Sequence, residues 1–361
     1  MKIKIEDRRY LMNGRIQKRA FALLVALVLV FTLSATASAS GPRKELIPGG
    51  MAFGVKFFTE GCIVIGTTGV ESASGLCSPA KDVGLRSGDV IIRAGGKTFE
   101  TAEELVELIA GCGGKPIKLA YIRNGTESIA EVTPVRDNEN GKYRIGVLVR
   151  DSTAGIGTVT FIDPKTNDFG GLGHGVYDSE SAILLPLARG AVVDVDINEV
   201  IKSFPNAPGE LRGSFGSVMV GELWDNCEQG VFGSFLKVPE TDRKPIPVAT
   251  RDEMTEGEAL VLTTLSNGRI GEYKVEIEAI YKGSGSTKNF LVHVTDDRLI
   301  DQTGGIVQGM SGSPIIQNGK LVGAVTHVLV NDPTRGYGIF IENMLNAAYG
   351  VSSVQHINTA A

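Results

Sequence analysis

The sequence predicts a mainly β protein built from more than one domain. Three observations carry that prediction. There are 46 glycines in 361 residues, with 42% apolar composition. Short alternating apolar stretches recur with turn signals every roughly 8 to 15 residues. Beyond the leader, only two stretches show helical spacing. At roughly 100 to 200 residues per domain, the chain has room for two or three packed units.

In chain order the first element is a leader. Residues 20–33 (AFALLVALVLVFTL) form a run of 14 apolar or near-apolar residues behind Arg15, Lys18 and Arg19, and small residues follow (SATASAS). The run is shorter than the roughly 20 residues that span a bilayer comfortably. Ala35-Thr36-Ala37 and Ala37-Ser38-Ala39 suit signal-peptide cleavage. Residues 1–40 are therefore expected to direct export, either as a cleaved signal peptide or as a retained membrane anchor, with everything after Ser40 outside the cytoplasm. The leader carries seven basic and two acidic residues, so the remainder holds 29 basic against 39 acidic, a formal charge of −10. An acidic surface without basic clusters argues against nucleic acid as a partner. Cys62, Cys77, Cys112 and Cys227 show neither C-x-x-C spacing nor histidine company, which argues against a zinc site. A bridge between Cys62 and Cys77 and isolated thiols are both open.

Residues 41–50 (GPRKELIPGG) read as a linker. Two short strands around a Thr-Glu-Gly turn follow, then a buried strand over 90–93, a Gly-Gly hairpin, a helix over 101–110 and two closing strands. The helix has a capping box in Thr101 and Glu104, and Leu105, Leu108 and Ile109 share one face. Residues 41–136 are thus a linker and a small α+β unit. The signature Gly84-Leu85-Arg86-Ser87-Gly88-Asp89-Val90-Ile91, with Phe53-Gly54 upstream and the helix downstream, resembles a bacterial PDZ domain. In such domains an extended peptide adds to a sheet edge and backbone N–H groups receive a terminal carboxylate. The resemblance implies that Met51, Ala52, Phe53 and Gly54 form the peptide-binding cradle, although they lack the usual apolar-Gly-apolar pattern. It makes the 101–110 helix the opposite groove wall.

From residue 137 to 361 the chain is glycine-rich. Strands are expected over 146–150, 155–162, 183–187, 190–196, 218–223, 260–265, 273–281, 290–294, 320–330 and 337–341, and a helix over 341–349. This pattern predicts a β-barrel or sandwich of about 200 residues.

A serine hydroxyl becomes a nucleophile only when a base takes its proton, a third group orients that base and N–H donors meet the oxyanion. Gly309-Met310-Ser311-Gly312-Ser313-Pro314 can supply two of these parts. Its glycines permit a turn in which the N–H groups of Gly309 and Ser311 form an oxyanion hole beside the Ser311 hydroxyl. The hexapeptide resembles the nucleophile motif of chymotrypsin-like proteases. It is not the G-x-S-x-G elbow of α/β-hydrolases, since Ser313 stands where the second glycine would and no helix follows. Met310 occupies a position where the digestive branch uses an aspartate to capture a new N-terminus, and a thioether cannot make that ion pair.

Four histidines compete as base. His356 lies near the C-terminus, while His293 and His327 stand in alternating strands. His174 lies in Gly170-Gly171-Leu172-Gly173-His174-Gly175, flanked by glycines that leave the ring exposed, and is the expected base. For the orienting acid, Asp296 and Asp297 precede Ser311 by about fifteen residues, and Asp225 lies between His174 and Ser311.

Taken together, "VRDSTAGIGTVTFIDP", "GGLGHGVYD", "GSFGSV", "CEQGVFG" and "TGGIVQGMSGSPIIQNGKLVGAVTHVLVNDPTRGYGIFIENML" closely resemble the SpoIVB peptidases of spore-forming bacteria. The resemblance implies a PDZ domain followed by a chymotrypsin-like double β-barrel serine peptidase. Its site would be Ser311 as nucleophile, His174 as base and Asp296 as acid, with Asp225 as the rival, and it would need no metal or other cofactor. It further implies an exported sporulation-signalling endopeptidase acting between the forespore and mother-cell membranes. Such an enzyme cleaves itself and a membrane-associated inhibitory subunit of an intramembrane metalloprotease complex, which releases processing of pro-sigma-K. A non-catalytic PDZ adaptor that binds peptides outside the cytoplasm is the alternative reading.

Overall fold

The computed structural model describes residues 43–179, 182–266, 268–283 and 287–350. The leader expected over 1–40 and His356 lie outside these residues. The N-terminal part comprises β1 (Glu45–Pro48), β2 (Ala52–Thr67), β3 (Val70–Ser72), β4 (Gly75–Cys77), α1 (Pro79–Asp82), β5 (Val90–Ala94), α2 (Ala102–Gly111), β6 (Ile117–Arg123), β7 (Thr126–Val132), β8 (Val135–Arg136) and β9 (Tyr143–Arg144). The middle part is β10 (Val147–Ile162), β11 (Asp168–Gly171), β12 (Leu187–Ile201), β13 (Glu210–Cys227), β14 (Gly230–Phe235) and β15 (Ile246–Pro247). The last part is β16 (Gly257–Thr264), β17 (Ile270–Ile280), β18 (Phe290–Val294), α3 (Asp297–Thr303), β19 (Pro314–Gln317), β20 (Lys320–Leu329), β21 (Asp332–Phe340) and α4 (Ile341–Tyr349). The fold is mainly β, as expected.

Two barrels organise these strands. The pairings run β10-β11-β14-β13-β12-β2, and a further pairing of β10 with β2 closes them into a ring of six. Phe53, Phe57, Phe169, Val192, Val231 and Phe235 fill it. Each such side chain contributes about 1.5–3 kcal/mol when taken out of water. The second barrel is closed in the order β16-β17-β18-β21-β20-β19, around Val261, Val275, Ile277, Phe290, Val292 and Phe340.

The N-terminal unit has the expected hairpin and helix, but its boundary differs from the expected one. Ile47 of β1 pairs with Ile162. Residues 52–58 of β2 pair with 152–158 of β10, and Gly54 also faces Val193 of β12. Residues 45–58 therefore belong to the first barrel. Only the far end of β2 serves the small unit, where Cys62 pairs with Ile91. At Gly61 (φ +82°) a Cβ would lie 2.3 Å from the Ile91 carbonyl oxygen, so this junction requires glycine. The expected cradle of Met51, Ala52, Phe53 and Gly54 is corrected for the same reason. Phe53 is only 2% exposed, and a Cβ on Gly54 would meet Phe215 and Val193. These residues are barrel strand, not an open peptide-binding edge.

Within the small unit the signature residues have specific tasks. The Asp89 carboxylate, 1% exposed, accepts two bonds from the Arg123 guanidinium at 2.6 and 2.7 Å and a third from the Arg86 N–H at 2.9 Å. Such complete pairing is what allows a carboxylate to be buried. Helix α2 starts as predicted, with Thr101 Oγ1 accepting from the Glu104 N–H and burying Leu105 and Ile109. The Glu104 carboxylate reaches back one residue further than expected, to the Glu100 N–H at 2.8 Å. All four cysteines are free thiols. Burial, with Asp151 and Glu103 nearby, pushes the Cys62 thiol up to about 12, which leaves it inert as a nucleophile.

Candidate active site

Ser311 sits in a turn that links the two barrels. Gly309 (φ +97°) and Gly312 (φ +92°) give the turn its shape. Met310 is fully buried in the second-barrel core, so apolar packing anchors the turn where an aspartate ion pair would otherwise act. The Met310 N–H donates to the Val307 carbonyl, the Gly312 N–H to the Val325 carbonyl and the Ser313 N–H to the Met310 carbonyl. Among the described residues the Gly309 and Ser311 amides have no acceptor. These are the two donors that the motif assigns to an oxyanion hole.

Strand β10 fastens the turn from the first barrel. The Thr158 N–H donates to the Ser311 carbonyl at 2.9 Å. Thr158 Oγ1 donates to the Gly309 carbonyl at 2.8 Å, and Thr160 Oγ1 to the Gly312 carbonyl at 2.7 Å. Sequence reasoning missed both threonines, although two hydroxyls at i and i+2 within the otherwise apolar stretch 154–162 were a signal for paired inward donors.

The His174 loop abuts the turn backbone to backbone. A Cβ on Gly312 would lie 2.1 Å from the Thr158 oxygen and 2.4 Å from the Leu172 nitrogen. Leu172 has φ +64° and Gly173 φ +67°; for leucine that conformation costs on the order of 1–3 kcal/mol and persists only where its surroundings enforce it. Gly173 is backed by Thr326 and Ile339 of the second barrel, which a Cβ would approach to 3.0 and 3.1 Å. The amide of Asn226 pins the loop from below, accepting from the Val176 N–H and donating to the Val176 and Leu185 carbonyls. The buried carboxylate of Asp178 takes Arg150 at 3.0 Å.

The His174 Nδ1 lies 2.8 Å from the Gly175 carbonyl. A carbonyl only accepts, so this contact assigns the proton to Nδ1 and leaves Nε2 bare, the tautomer a general base needs. Burial holds the His174 pKa below its ordinary 6.5, so the ring is neutral at pH 7. The His327 ring lies beside it, with centroids 5.1 Å apart. Burial, together with His174 and Lys288, pulls His327 down to about 4. The Ser311 hydroxyl donates to the Thr326 carbonyl at 2.9 Å, one residue before His327. The hydroxyl thus rests on a carbonyl of the strand that carries His327, whose ring adjoins that of His174. Such loose geometry is common before substrate tightens a site.

Neither expected acid reaches His174. The Asp296 carboxylate caps α3 through the Arg298 N–H at 3.0 Å, accepts from the Lys274 N–H at 3.1 Å and pairs with the Arg298 guanidinium at 2.7 Å. Arg298 foremost, with those backbone donors, holds it well below the usual carboxylate range. Asp225 lies beside the Cys227 thiol. The Gly175 carbonyl is the group that orients the imidazole.

Two predictions follow from this packing. Gly312→Ala should separate the loops, lowering kcat at least 100-fold together with the melting temperature, as read by peptidase assay and calorimetry. Asp296→Ala removes a helix cap worth about 0.5–2 kcal/mol, so it should lower the melting temperature while kcat well below it changes less than tenfold. A loss of several powers of ten at unchanged melting temperature would return Asp296 to the catalytic set.

Residues 141–345 match the family model for SpoIVB peptidase S55, and residues 77–123 match a PDZ domain. A candidate zinc metalloprotease of Lactococcus lactis is 30% identical over 153 residues, 42% of this chain and 32% of that protein. Another from Clostridium acetobutylicum is 32% identical over 108 residues, 30% of this chain and 31% of that protein. The chain thus spans about a third of the length of these curated relatives. Among solved structures, the PDZ domain of an SdrC-like protein from Listeria monocytogenes is 25% identical, covering 26% of this chain and 90% of that one, with a TM-score of 0.21. The active form of the M. tuberculosis protease Rv3671c is 14% identical, covering 55% and 75%, with a TM-score of 0.32. The family model spans more than half of the chain and includes the histidine loop, the serine turn, the whole second barrel and every strand of the first except β2: this protein belongs to the SpoIVB peptidase S55 family and carries a PDZ domain.

Proposed function

We propose that this chain is an exported sporulation-signalling endopeptidase that uses Ser311 as nucleophile and His174 as base. Its substrates are itself and a membrane-associated protein that inhibits an intramembrane metalloprotease complex, and its work releases processing of pro-sigma-K between the forespore and mother-cell membranes. The observation that carries the catalytic part is the Ser311 turn, with two unspent amides flanking a hydroxyl, packed directly against the His174 loop. An adaptor that only binds peptides has no need of such donors.

The chemistry runs as acyl transfer. The Ser311 hydroxyl turns from the Thr326 carbonyl toward His174 and attacks the scissile carbonyl while Nε2 takes its proton. The Gly175 carbonyl keeps the Nδ1–H in place, and the resulting imidazolium is stabilised by that contact. The Gly309 and Ser311 amides donate to the developing oxyanion, where a single donor is commonly worth a hundredfold or more in rate. The imidazolium then protonates the departing amine, and water, activated by the same nitrogen, releases the acyl group.

Mass spectrometry of purified wild type beside Ser311→Ala tests the reading. New internal termini should appear in the wild type and be absent from the variant, and persistent processing rejects Ser311. Removing one member of such a unit costs several powers of ten, so a tenfold loss points to another nucleophile. Because the base must be neutral and burial lowers its pKa, kcat/KM should rise with pH along a limb centred below 6.5. A limb centred above 6.5 would identify a different base.

A further inference from the structure

The two amides of the oxyanion site are aimed by different parts of the molecule. A trans peptide is planar, with its C=O and N–H pointing in opposite directions, so whatever holds the carbonyl of one residue sets the amide of the next. The Met310 carbonyl accepts from the Ser313 N–H at 2.9 Å, which makes the Ser311 amide a product of the turn itself. The Gln308 carbonyl accepts instead from the Leu211 N–H at 2.8 Å. Leu211 belongs to β13 of the first barrel. A strand far away in sequence therefore sets the direction of the Gly309 amide.

The tip of the β12–β13 hairpin, residues 202–209, reaches across to the segment 303–308 that leads into the Ser311 turn. The Ser203 N–H donates to the Thr303 carbonyl at 2.8 Å, the Gln308 N–H to the Gly209 carbonyl at 2.8 Å and the Asn206 N–H to the Val330 carbonyl at 2.7 Å. Glu210 and Gln308 form a parallel bridge. The Leu211 side chain, 5% exposed, is part of the second-barrel core, and a Cβ on Gly309 would lie 3.0 Å from its own Cβ. Ser203 is buried between the two segments. Its Oγ accepts from the Gly209 N–H at 2.8 Å and donates to the Ile306 carbonyl at 3.0 Å.

The Gly309 amide needs such a hold. Gly209 fixes the peptide before the 308–309 unit and Thr158 the peptide after it, so this unit can turn over as a single plane between them. A side chain at 309 would resist that rotation, whereas glycine, at φ +97° here, does not. Turning over would send the Gly309 N–H away from the Ser311 hydroxyl, and it would break the Leu211 bond. We propose that the hairpin tip, through the Leu211 amide and the Ser203 hydroxyl, aims the Gly309 N–H at the oxyanion, which makes Ser203 and Leu211 positioning residues of the peptidase reaction. The proposal rests on Ser311 being the nucleophile and Gly309 one of its oxyanion donors.

Two full-chain variants test it. Ser203→Ala removes the hydroxyl. Leucic acid at position 211, introduced by nonsense suppression, replaces only the Leu211 N–H by an ester oxygen and keeps the side chain. The substrate is a peptide that the wild type cleaves, and a boronic acid built on the same residues mimics the tetrahedral adduct. A whole oxyanion donor is commonly worth about a hundredfold or more in rate. Each variant, assayed well below its melting temperature, should lose at least tenfold in kcat with KM within twofold, and should bind the boronic acid at least tenfold more weakly. In a Ser311→Ala background, the same changes should leave binding of the uncut peptide within twofold, which a general loosening of the cleft would not. A folded ester variant whose kcat and boronic acid affinity stay within twofold of wild type overturns the proposal. So does peptide binding that falls in step with boronic acid affinity. Cleavage retained by Ser311→Ala alone, with the hairpin untouched, would reject the nucleophile and the aiming of Gly309 with it.

Discussion

The contact between the Ser311 turn and the His174 loop depends on three hydrogen bonds from one strand. Thr158 and Thr160 spend their hydroxyls, and Thr158 its amide, on carbonyls of the Ser311 turn. The turn lies just before β19 of the second barrel, whereas the threonines belong to the first. Each bond is worth only about 0.5–1.5 kcal/mol net. Their effect is chiefly geometric: they set the turn in contact with the Leu172 backbone, and with it the loop that bears His174. Glycine at 312 is what makes that approach sterically possible.

Around this junction the site uses backbone where many serine peptidases use side chains. A carbonyl at Gly175 orients the imidazole, and buried Met310 steadies the turn from within the core. Both substitutions suit a seam in which a further charge would have to be desolvated. The neutral neighbour His327 fits the same pattern, since burial beside a second imidazole keeps it uncharged. The carboxylates are instead spent on architecture. Asp296 caps α3, Asp178 fastens the histidine loop and Asp89 is buried against Arg123. β2 and β10 run as continuous strands through both the first barrel and the PDZ unit. The two units share backbone and are not beads on a linker.

The two turns of the candidate site were legible because they are local. The glycines around Ser311 and His174 announce turns that other residues cannot make, and the pairing of Thr101 with Glu104 announces the start of a helix. What failed was non-local. Met51, Ala52, Phe53 and Gly54 alternate as any strand does, and only their partners on β10 and β12 show that they lie inside a barrel. An aspartate that caps a helix and one that orients a histidine read alike, so Asp296 could be separated from catalysis only by seeing its partners, Arg298 and the Lys274 amide. The helix it caps was itself missed, because seven residues give too little periodicity to stand out.

The amino-acid sequence by itself determined the two glycine-rich loops of the candidate site and a mainly β architecture. Each of these is set by steric or hydrogen-bonding demands within a few consecutive residues. The tertiary structure alone decided which strand joins the loops, which group orients the imidazole and which carboxylates serve the scaffold. The joining of the loops depends on hydrogen bonds between residues 151 and 152 positions apart, and a strand's sequence specifies its two faces far better than it specifies its neighbour.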